Sequence, residues 1–133
     1  MTLKQMLVEM LNRKSSDLHI RVGIRPHLRV NGRLEQISTD PITIDQMEQV
    51  VNQILNETQR EKFYSKNEMD LALSVAKLGR FRINLFRQRG TTGIAIRAVN
   101  TTVPSYLISI NSFLSITTIK AKLVLLSILS ELS

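Results

Sequence analysis

Arginines are the residues of this sequence whose type and spacing could do chemistry. The segment from Lys77 to Ala98 holds six basic residues and no acidic one. They are Lys77, Arg80, Arg82, Arg87, Arg89 and Arg97. A planar guanidinium group matches the geometry of phosphate oxygens, so the segment indicates either a site for an anionic ligand or a solvated basic surface.

Side-chain alternation along two predicted strands brings three of these arginines together. The apolar positions of the two strands are Phe81, Ile83, Leu85, Ile94, Ile96 and Ala98. If these positions all face the core, Arg80, Arg82 and Arg97 share the opposite face of the sheet. Three like charges on one face repel unless water, acidic groups or an incoming polyanion lies against them. A solvated sheet face and a phosphate-binding surface are both compatible with this pattern.

The sequence offers few other groups for catalysis. It has no cysteine and only two histidines, which excludes thiolate nucleophiles and argues against a metal site. We interpret His19 as a surface residue or one with a local hydrogen bond, and we expect Asp17 to cap an element or to pair with Arg21. Glu68 and Asp70 could form a carboxylate pair, but no nucleophile accompanies them, so a structural role is expected.

The basic composition also suggests nucleic acid as a partner. The chain has a formal charge of +7 and a pI near 10.3. Phe81 and Phe86 lie among the arginines, as in an aromatic and basic surface that binds nucleic acid. Phe81 belongs to the apolar stripe, however, which weakens this interpretation. A small nucleic-acid-binding module is kept as an alternative, with an affinity that should fall steeply with salt.

Length and composition indicate one folded domain. The chain has 133 residues and 15.2 kDa, with 43% hydrophobic and 22% charged residues, which is typical of a globular protein. Its start lacks the pattern of a secretion signal. Lys120 and Lys122 interrupt the apolar stretch from Val103 to Leu132. We therefore expect a cytoplasmic protein without a transmembrane segment.

Hydrophobic periodicity predicts the elements that position the arginines. An amphipathic helix ends near Asn12, Asp17 to Val22 alternates as a strand, and Asn31-Gly32 indicates a hairpin. Thr43 and Gln46 have the spacing of a capping box at the start of a second helix. The later elements are a polar helix at Glu57–Tyr64, strands at Met69–Val75, Phe81–Leu85 and Ile94–Ala98, and turns at Lys77–Gly79 and Gly90–Gly93. The predicted fold is α+β, an antiparallel sheet of about five strands with helices over one face.

Several segments in order resemble the N-terminal, PAS-like domain of the type IV pilus retraction ATPases, the PilT-like twitching-motility family. Ser15 to Ile20 (SSDLHI) is similar to the family's ASDLHL, and Gly79 to Asn84 (GRFRIN) is similar to its RFRVN strand. The other matching positions are Gly23, Pro26, Arg29-Val30, Asn31-Gly32, Gln88-Arg89-Gly90 and Ile94 to Arg97. The resemblance covers residues 1–100, which we assign to this domain. The N-terminal part of a type II secretion or pilus assembly ATPase is a related alternative.

The resemblance implies a nucleotide-dependent motor. In that family a RecA-like domain follows, ATP and Mg²⁺ are the cofactors, and same-family subunits assemble as a ring hexamer at the inner-membrane platform of the pilus machine. Arginines of the N-terminal domain approach the ATP phosphates, and Arg82 and Arg97 occupy the matching positions, with Arg80 as a third candidate. The protein would then be cytoplasmic and peripheral to the inner membrane. These roles come from the resemblance and not from composition.

The tail departs from this family. Residues 101–133 lie where the linker to the RecA-like domain would begin, but they contain no GxxxxGK[ST] phosphate loop, and no glycine follows Gly93. The shift to Ser, Ile, Leu and Thr suggests a truncated or frameshifted product, with drift in frame as the alternative. We therefore expect no hydrolysis and no tight nucleotide binding by this chain alone.

Overall fold

Residues 1–101 fold into three helices and one six-stranded sheet. The computed structural model describes residues 1–101 and Leu129. The helices are α1 (Leu3–Asn12), α2 (Ile44–Ile54) and α3 (Glu57–Lys66). The strands are β1 (Asp17–Arg21), β2 (His27–Val30), β3 (Arg33–Gln36), β4 (Glu68–Val75), β5 (Gly79–Gln88) and β6 (Thr91–Thr101).

A capping box begins each of the three helices. The side chain of Thr43 accepts a hydrogen bond from the Gln46 backbone, and the Gln46 side chain accepts one from the Thr43 backbone. Thr2 and Asn56 make the same reciprocal contacts at α1 and α3. These bonds satisfy backbone N–H groups that the first helical turn would leave unpaired. The predicted start of α2 is confirmed, and the predicted end of α1 near Asn12 is confirmed as well.

The strands run in the order β3-β2-β1-β6-β5-β4, and every neighbouring pair is antiparallel. Two hairpins turn through two residues with positive φ. Asn31 and Gly32 have φ of 51° and 78°, and Arg89 and Gly90 have 56° and 75°. Such left-handed pairs match the right-handed twist of the strands that they join. The central pair of the sheet, β1 with β6, joins the N-terminal strands to the C-terminal meander.

One face of the sheet packs against the helices to form a single hydrophobic core. Phe81 and Phe63 are its largest fully buried side chains. The other core residues at 0–1% exposure are Met6, Leu7, Met10, Leu18, Ile20, Leu28, Val51, Ile83, Leu85, Ile94 and Ile96. Every one of these strand positions has the parity expected from the apolar alternation. The opposite parity therefore forms the other face of the sheet, which we call the polar face.

Two details differ from the sequence-based expectation. The sheet has six strands, not about five, because both strands of the predicted hairpin at Asn31-Gly32 join it. Gly93 lies inside β6 rather than in a turn, because Arg89 and Gly90 alone reverse the chain. The predicted tail, apart from Thr101 in β6 and Leu129, lies outside the described residues. Within the described part of the chain, no helix is both long and apolar enough to cross a membrane.

Replacing Phe81 with alanine should lower the free energy of unfolding by about 3–5 kcal/mol, because the substitution leaves a cavity in a close-packed core. Phe81 is fully buried, whereas Val99, a neighbour on β6, is 58% exposed. Val99→Ala is the control and should change stability by less than about 0.5 kcal/mol. Urea unfolding followed by circular dichroism measures both variants. Equal losses in the two variants would contradict the placement of Phe81.

Candidate functional site

A row of charged side chains crosses the polar face of the sheet. Arg82 on β5 lies opposite Arg97 on β6, Arg97 lies opposite Asp17 on β1, and Asp17 lies opposite Arg29 on β2. We call these four residues the arginine row. Directly opposed side chains in an antiparallel pair have Cβ atoms about 4.5–5.5 Å apart. The sheet register therefore concentrates three guanidinium groups around one carboxylate.

Arg97 forms an ion pair with Asp17. Its Nε donates to Oδ1 of Asp17 at 3.2 Å, and the two residues are 80 positions apart in the sequence. The Arg97 side chain is 71% exposed, whereas that of Asp17 is 19% exposed. The carboxylate thus lies at the base of the row and the guanidinium at its surface. The expected pairing of Asp17 with Arg21 is wrong, because the carboxylate pairs with Arg97 and Arg21 lies at the other end of β1, ~13 Å away along an extended strand.

Two serines hold Asp17 in place. Ser16 Oγ donates to Oδ2 of Asp17 at 2.9 Å. Ser15, which is 7% exposed, places its Oγ 2.8 Å from the backbone oxygens of Asp17 and Arg29. It therefore bridges the first residue of β1 to β2 beside the arginine row. The sequence pattern SSDLH marked this segment but did not show which strand its carboxylate would meet.

Electrostatics keep the Asp17 carboxyl group ionised. Burial raises its pKa, but hydrogen bonds from Ser16 and Arg97 and the positive charge of Arg97 lower it more, so the net pKa lies below the usual value. A carboxylate that stays ionised offsets the repulsion among the guanidinium groups over the whole neutral pH range. Asp17 therefore supplies a lasting negative charge among the three arginines of the row at neutral pH.

Arg82, like Arg29, is a cation of the row whose side chain forms no ion pair with a described residue. Its side chain is exposed and makes no hydrogen bond or ion pair with the part of the chain that the structure describes. A shallow depression lies beside it, lined by Asp17, Asp70, Asn84, Ala95 and Arg97. The small side chain of Ala95 makes room between these polar groups. The depression has donors and acceptors around it and is open to solvent.

Arg80 lies one step beyond the arginine row. It is exposed and pairs with Asn100, because a β-bulge separates the pairs Arg80–Asn100 and Phe81–Ala98 and leaves Val99 as the extra residue. Arg80 therefore shares a strand with Arg82 but has no basic residue directly opposite. Of the three candidate arginines, the register makes Arg82 and Arg97 direct cross-strand neighbours.

The two histidines form a stacked pair next to the row. His19 on β1 lies opposite His27 on β2, with ring centroids 5.2 Å apart and an interplanar angle of 21°. Burial lowers the pKa of His19; the nearby His27 and Arg29 lower it further, while Asp17 acts in the opposite direction. The His19 ring is thus held against the neighbouring strand rather than turned away as an isolated surface group.

Glu68 and Asp70 lie on the polar face and share one amide partner. Asn84 Nδ2 donates to Oδ1 of Asp70 at 2.9 Å and lies 3.5 Å from Oε1 of Glu68. Their role in the structure is to orient Asn84 across the β4–β5 pair. Within residues 1–101, no group of three or more His, Cys, Asp or Glu side chains is placed to hold a metal ion.

Phe86 covers a glycine on the adjacent strand. The two residues pair directly, and a Cβ atom added to Gly93 would lie 2.4 Å from Cζ of the Phe86 ring. The aromatic ring therefore occupies the space that any side chain at position 93 would need. Phe81 faces the core and Phe86 lies against Gly93, so the two rings do not form a shared stacking surface for bases.

Comparisons with known proteins relate the chain to pilus ATPases. It is 33% identical over 105 residues to the type IV pilus ATPase PilU of Pseudomonas aeruginosa, a match that covers 79% of this chain and 28% of that protein. It is 30% identical over 99 residues to the type IV pilus retraction ATPase PilT of the same organism, covering 74% and 29%. The chain thus matches less than a third of the length of these relatives. No protein-family model matches the chain.

Two solved structures of ATPases have the same fold as this chain. A crystal structure of the pilus retraction motor PilT with bound ADP superposes with a TM-score of 0.69 at 25% identity, covering 78% of this chain and 31% of that one. The Legionella pneumophila ATPase DotB superposes with a TM-score of 0.64 at 23% identity, covering 90% and 33%. The expected α+β fold and the expected resemblance are both confirmed.

Asp17→Asn should change how the free energy of unfolding depends on pH in the acid range. Because folding lowers the pKa of Asp17, the carboxylate stabilises the fold above its unfolded pKa of about 3.9, and this contribution is lost as the pH falls through the lower folded value. Wild type should therefore be the more stable protein near pH ~6, and the difference should vanish near pH ~2. Urea unfolding at both pH values measures the effect. A difference that does not change with pH would contradict it.

Gly93→Ala should destabilise the sheet by about 1–3 kcal/mol, because the new methyl group displaces the Phe86 ring. Phe86→Leu removes the ring edge that the methyl group would meet. The double variant should consequently lose less stability than the sum of the two single variants. Chemical unfolding of the four proteins measures this coupling, and strict additivity would show that the ring does not limit position 93.

Proposed function

Because this chain is homologous to the N-terminal part of the type IV pilus retraction ATPases, we propose that it acts as the phosphate-contacting domain of such a motor. Arg82 and Arg97 would reach the phosphates of a nucleotide that an adjacent ATPase domain binds. Arg80 would play at most an outer electrostatic role. The observation that carries the proposal is the direct pairing of Arg82 with Arg97 on the polar face.

Two opposed guanidinium groups suit a polyphosphate ligand. Each presents N–H donors in a planar fork, and charge-assisted hydrogen bonds to phosphate are stronger than neutral ones. Arg82 makes no ion pair with the described residues, and Arg97 is 71% exposed. A ligand with several phosphates could contact both at once and would relieve their mutual repulsion.

We propose that the hydrolytic machinery is supplied from outside these residues. The 133-residue sequence contains no GxxxxGK[ST] loop, the element that cradles nucleotide phosphates with backbone N–H groups and a lysine. Mg²⁺ and ATP would then be held mainly by a complete ATPase subunit, and this chain would add its arginines across the interface. A ring of same-family subunits in the cytoplasm, docked on the pilus machine at the inner membrane, is the assembly that this role requires.

Nucleic-acid binding is the rival function. The polar face carries three carboxylates, at Asp17, Glu68 and Asp70, among its basic residues. A groove for a long polyanion is usually lined by positive charge over its length. The mixed charges of this face fit a compact phosphate group better than an extended strand. Comparing the affinity of the chain for ATP with its affinity for a generic oligonucleotide distinguishes the two functions.

Titration of the full chain with ATP, followed by NMR, tests the proposal. The Nε–Hε signals of Arg82 and Arg97 should shift in wild type. Arg82→Gln and Arg97→Gln should each weaken ATP affinity about tenfold or more, because a hydrogen bond to a charged group contributes about 1.5–3 kcal/mol. Arg33→Gln is the matched control, since Arg33 is exposed on β3 at the far edge of the sheet.

Three outcomes would overturn the proposal. If Arg33→Gln weakened ATP binding as much as the other two substitutions do, the affinity for ATP would depend only on the net charge of the chain. Tighter binding of a generic oligonucleotide than of ATP, with a steep loss in salt, would favour the nucleic-acid module. ATP hydrolysis by the isolated chain would show that it carries its own catalytic site.

Co-purification is a second test of the proposal. The tagged chain should co-purify with P. aeruginosa PilT at low salt, and the Arg82→Gln variant should lose that association.

A further inference from the structure

We propose that Asp17 is a positioning residue that orients the Arg97 guanidinium and lets Arg82 and Arg97 stand together as one phosphate-binding pair. The inference rests on the proposed function for its ligand. Its structural content, the orientation of Arg97 by a specific carboxylate, can be measured without any nucleotide. It gives the SSDLH segment a role at the site that its sequence does not reveal.

Electrostatic repulsion is the first reason. Arg82 and Arg97 are directly opposed across β5 and β6, and like charges in that position are destabilising. Arg29 adds a third positive charge on the far side of Asp17. Asp17 is the only carboxylate of the arginine row, and it lies on β1 between Arg29 on β2 and Arg97 on β6. Its negative charge therefore offsets the positive charge of the arginines beside it. Without it, the flexible arginine side chains would separate into solvent.

The atom that Asp17 contacts is the second reason. Its Oδ1 accepts from Nε of Arg97, not from a terminal nitrogen. No hydrogen bond of the described residues engages the terminal Nη1 or Nη2 of Arg97. The carboxylate can therefore fix the plane of the guanidinium while both terminal amino groups stay available for phosphate oxygens. A carboxylate bound to the terminal nitrogens would instead compete with the ligand.

The rigidity of Asp17 is the third reason. Ser16 Oγ donates to the carboxylate oxygen that Arg97 does not use, at 2.9 Å. The nearly buried Ser15 hydroxyl ties the backbone of Asp17 to that of Arg29. The Asp17 carboxylate is therefore held in place by contacts that do not involve Arg97. Residues that hold a binding group in place make its position precise without contacting the ligand themselves.

The experiment compares Asp17→Asn with Asp17→Ala in the full chain. Asparagine keeps an acceptor oxygen near Arg97 Nε, whereas alanine removes it. The first measurement is hydrogen exchange of Arg97 Nε–Hε by NMR in the absence of ligand. The second is affinity for sodium tripolyphosphate, followed through the same signals. Asp40→Asn and Asp40→Ala are the matched controls, because Asp40 is an exposed aspartate outside the sheet.

The expected result is graded. Arg97 Nε–Hε should be protected in wild type, partly protected in Asp17→Asn and unprotected in Asp17→Ala. Tripolyphosphate affinity should fall about tenfold in Asp17→Ala and by no more than about twofold in Asp17→Asn, relative to the Asp40 controls. In an Arg97→Gln background, Asp17→Ala should have no further effect on affinity, because the two residues act through one contact.

Each contrary result has a distinct meaning. Tighter tripolyphosphate binding in both Asp17 variants would overturn the positioning role, because it would show that Asp17 competes with the ligand. Unchanged Nε–Hε exchange in Asp17→Ala would overturn it as well. If the graded exchange is observed but wild type does not bind tripolyphosphate, the positioning role stands and the phosphate-binding function fails.

Discussion

Burial of one face of the sheet against the helices is the constraint on which the other features depend. Phe81 and Ile83 on β5 and Ile94 and Ile96 on β6 are buried in one core. A shift of either strand by one residue would move the apolar side chains of that strand to the opposite face. That cost fixes the register of β5 with β6. The same register sets Arg82 opposite Arg97. The geometry of the polar face is therefore a consequence of apolar packing on the other side.

Local chemistry made much of the fold predictable from the sequence. Thr43 with Gln46 forms the expected capping box, and Asn31-Gly32 forms the expected hairpin turn. Each depends on residues within a few positions of one another. Side-chain parity also predicted that Phe81 faces the core. Because glycine is common in turns, the sequence predicts a turn that includes Gly93, but the residue lies in a strand where the Phe86 ring of the adjacent strand leaves no room for a side chain.

The contacts that organise the site were harder to predict, because they join distant parts of the chain. Asp17 meets Arg97 only after β1 has paired with β6, which brings together residues 80 positions apart. Sequence spacing made Arg21 the nearer candidate partner for Asp17. The resemblance to a known family marked Arg82 and Arg97 but gave no reason for a carboxylate between arginines. The order of the strands in the sheet provides that reason, because β1 lies between β2 and β6 and brings Asp17 between their arginines.

The charges of the arginine row fit a surface that is completed by another molecule. An isolated domain gains little from opposing Arg82 to Arg97, since the pair repels and exposed ion pairs contribute little to stability. Asp17 limits this cost but leaves Arg82 without a partner among the described residues. Under the proposed function, a phosphate group would neutralise this excess charge and accept charge-assisted hydrogen bonds from the guanidinium groups. The electrostatics of the arginine row therefore favour the binding of an anion, which agrees with the proposed function.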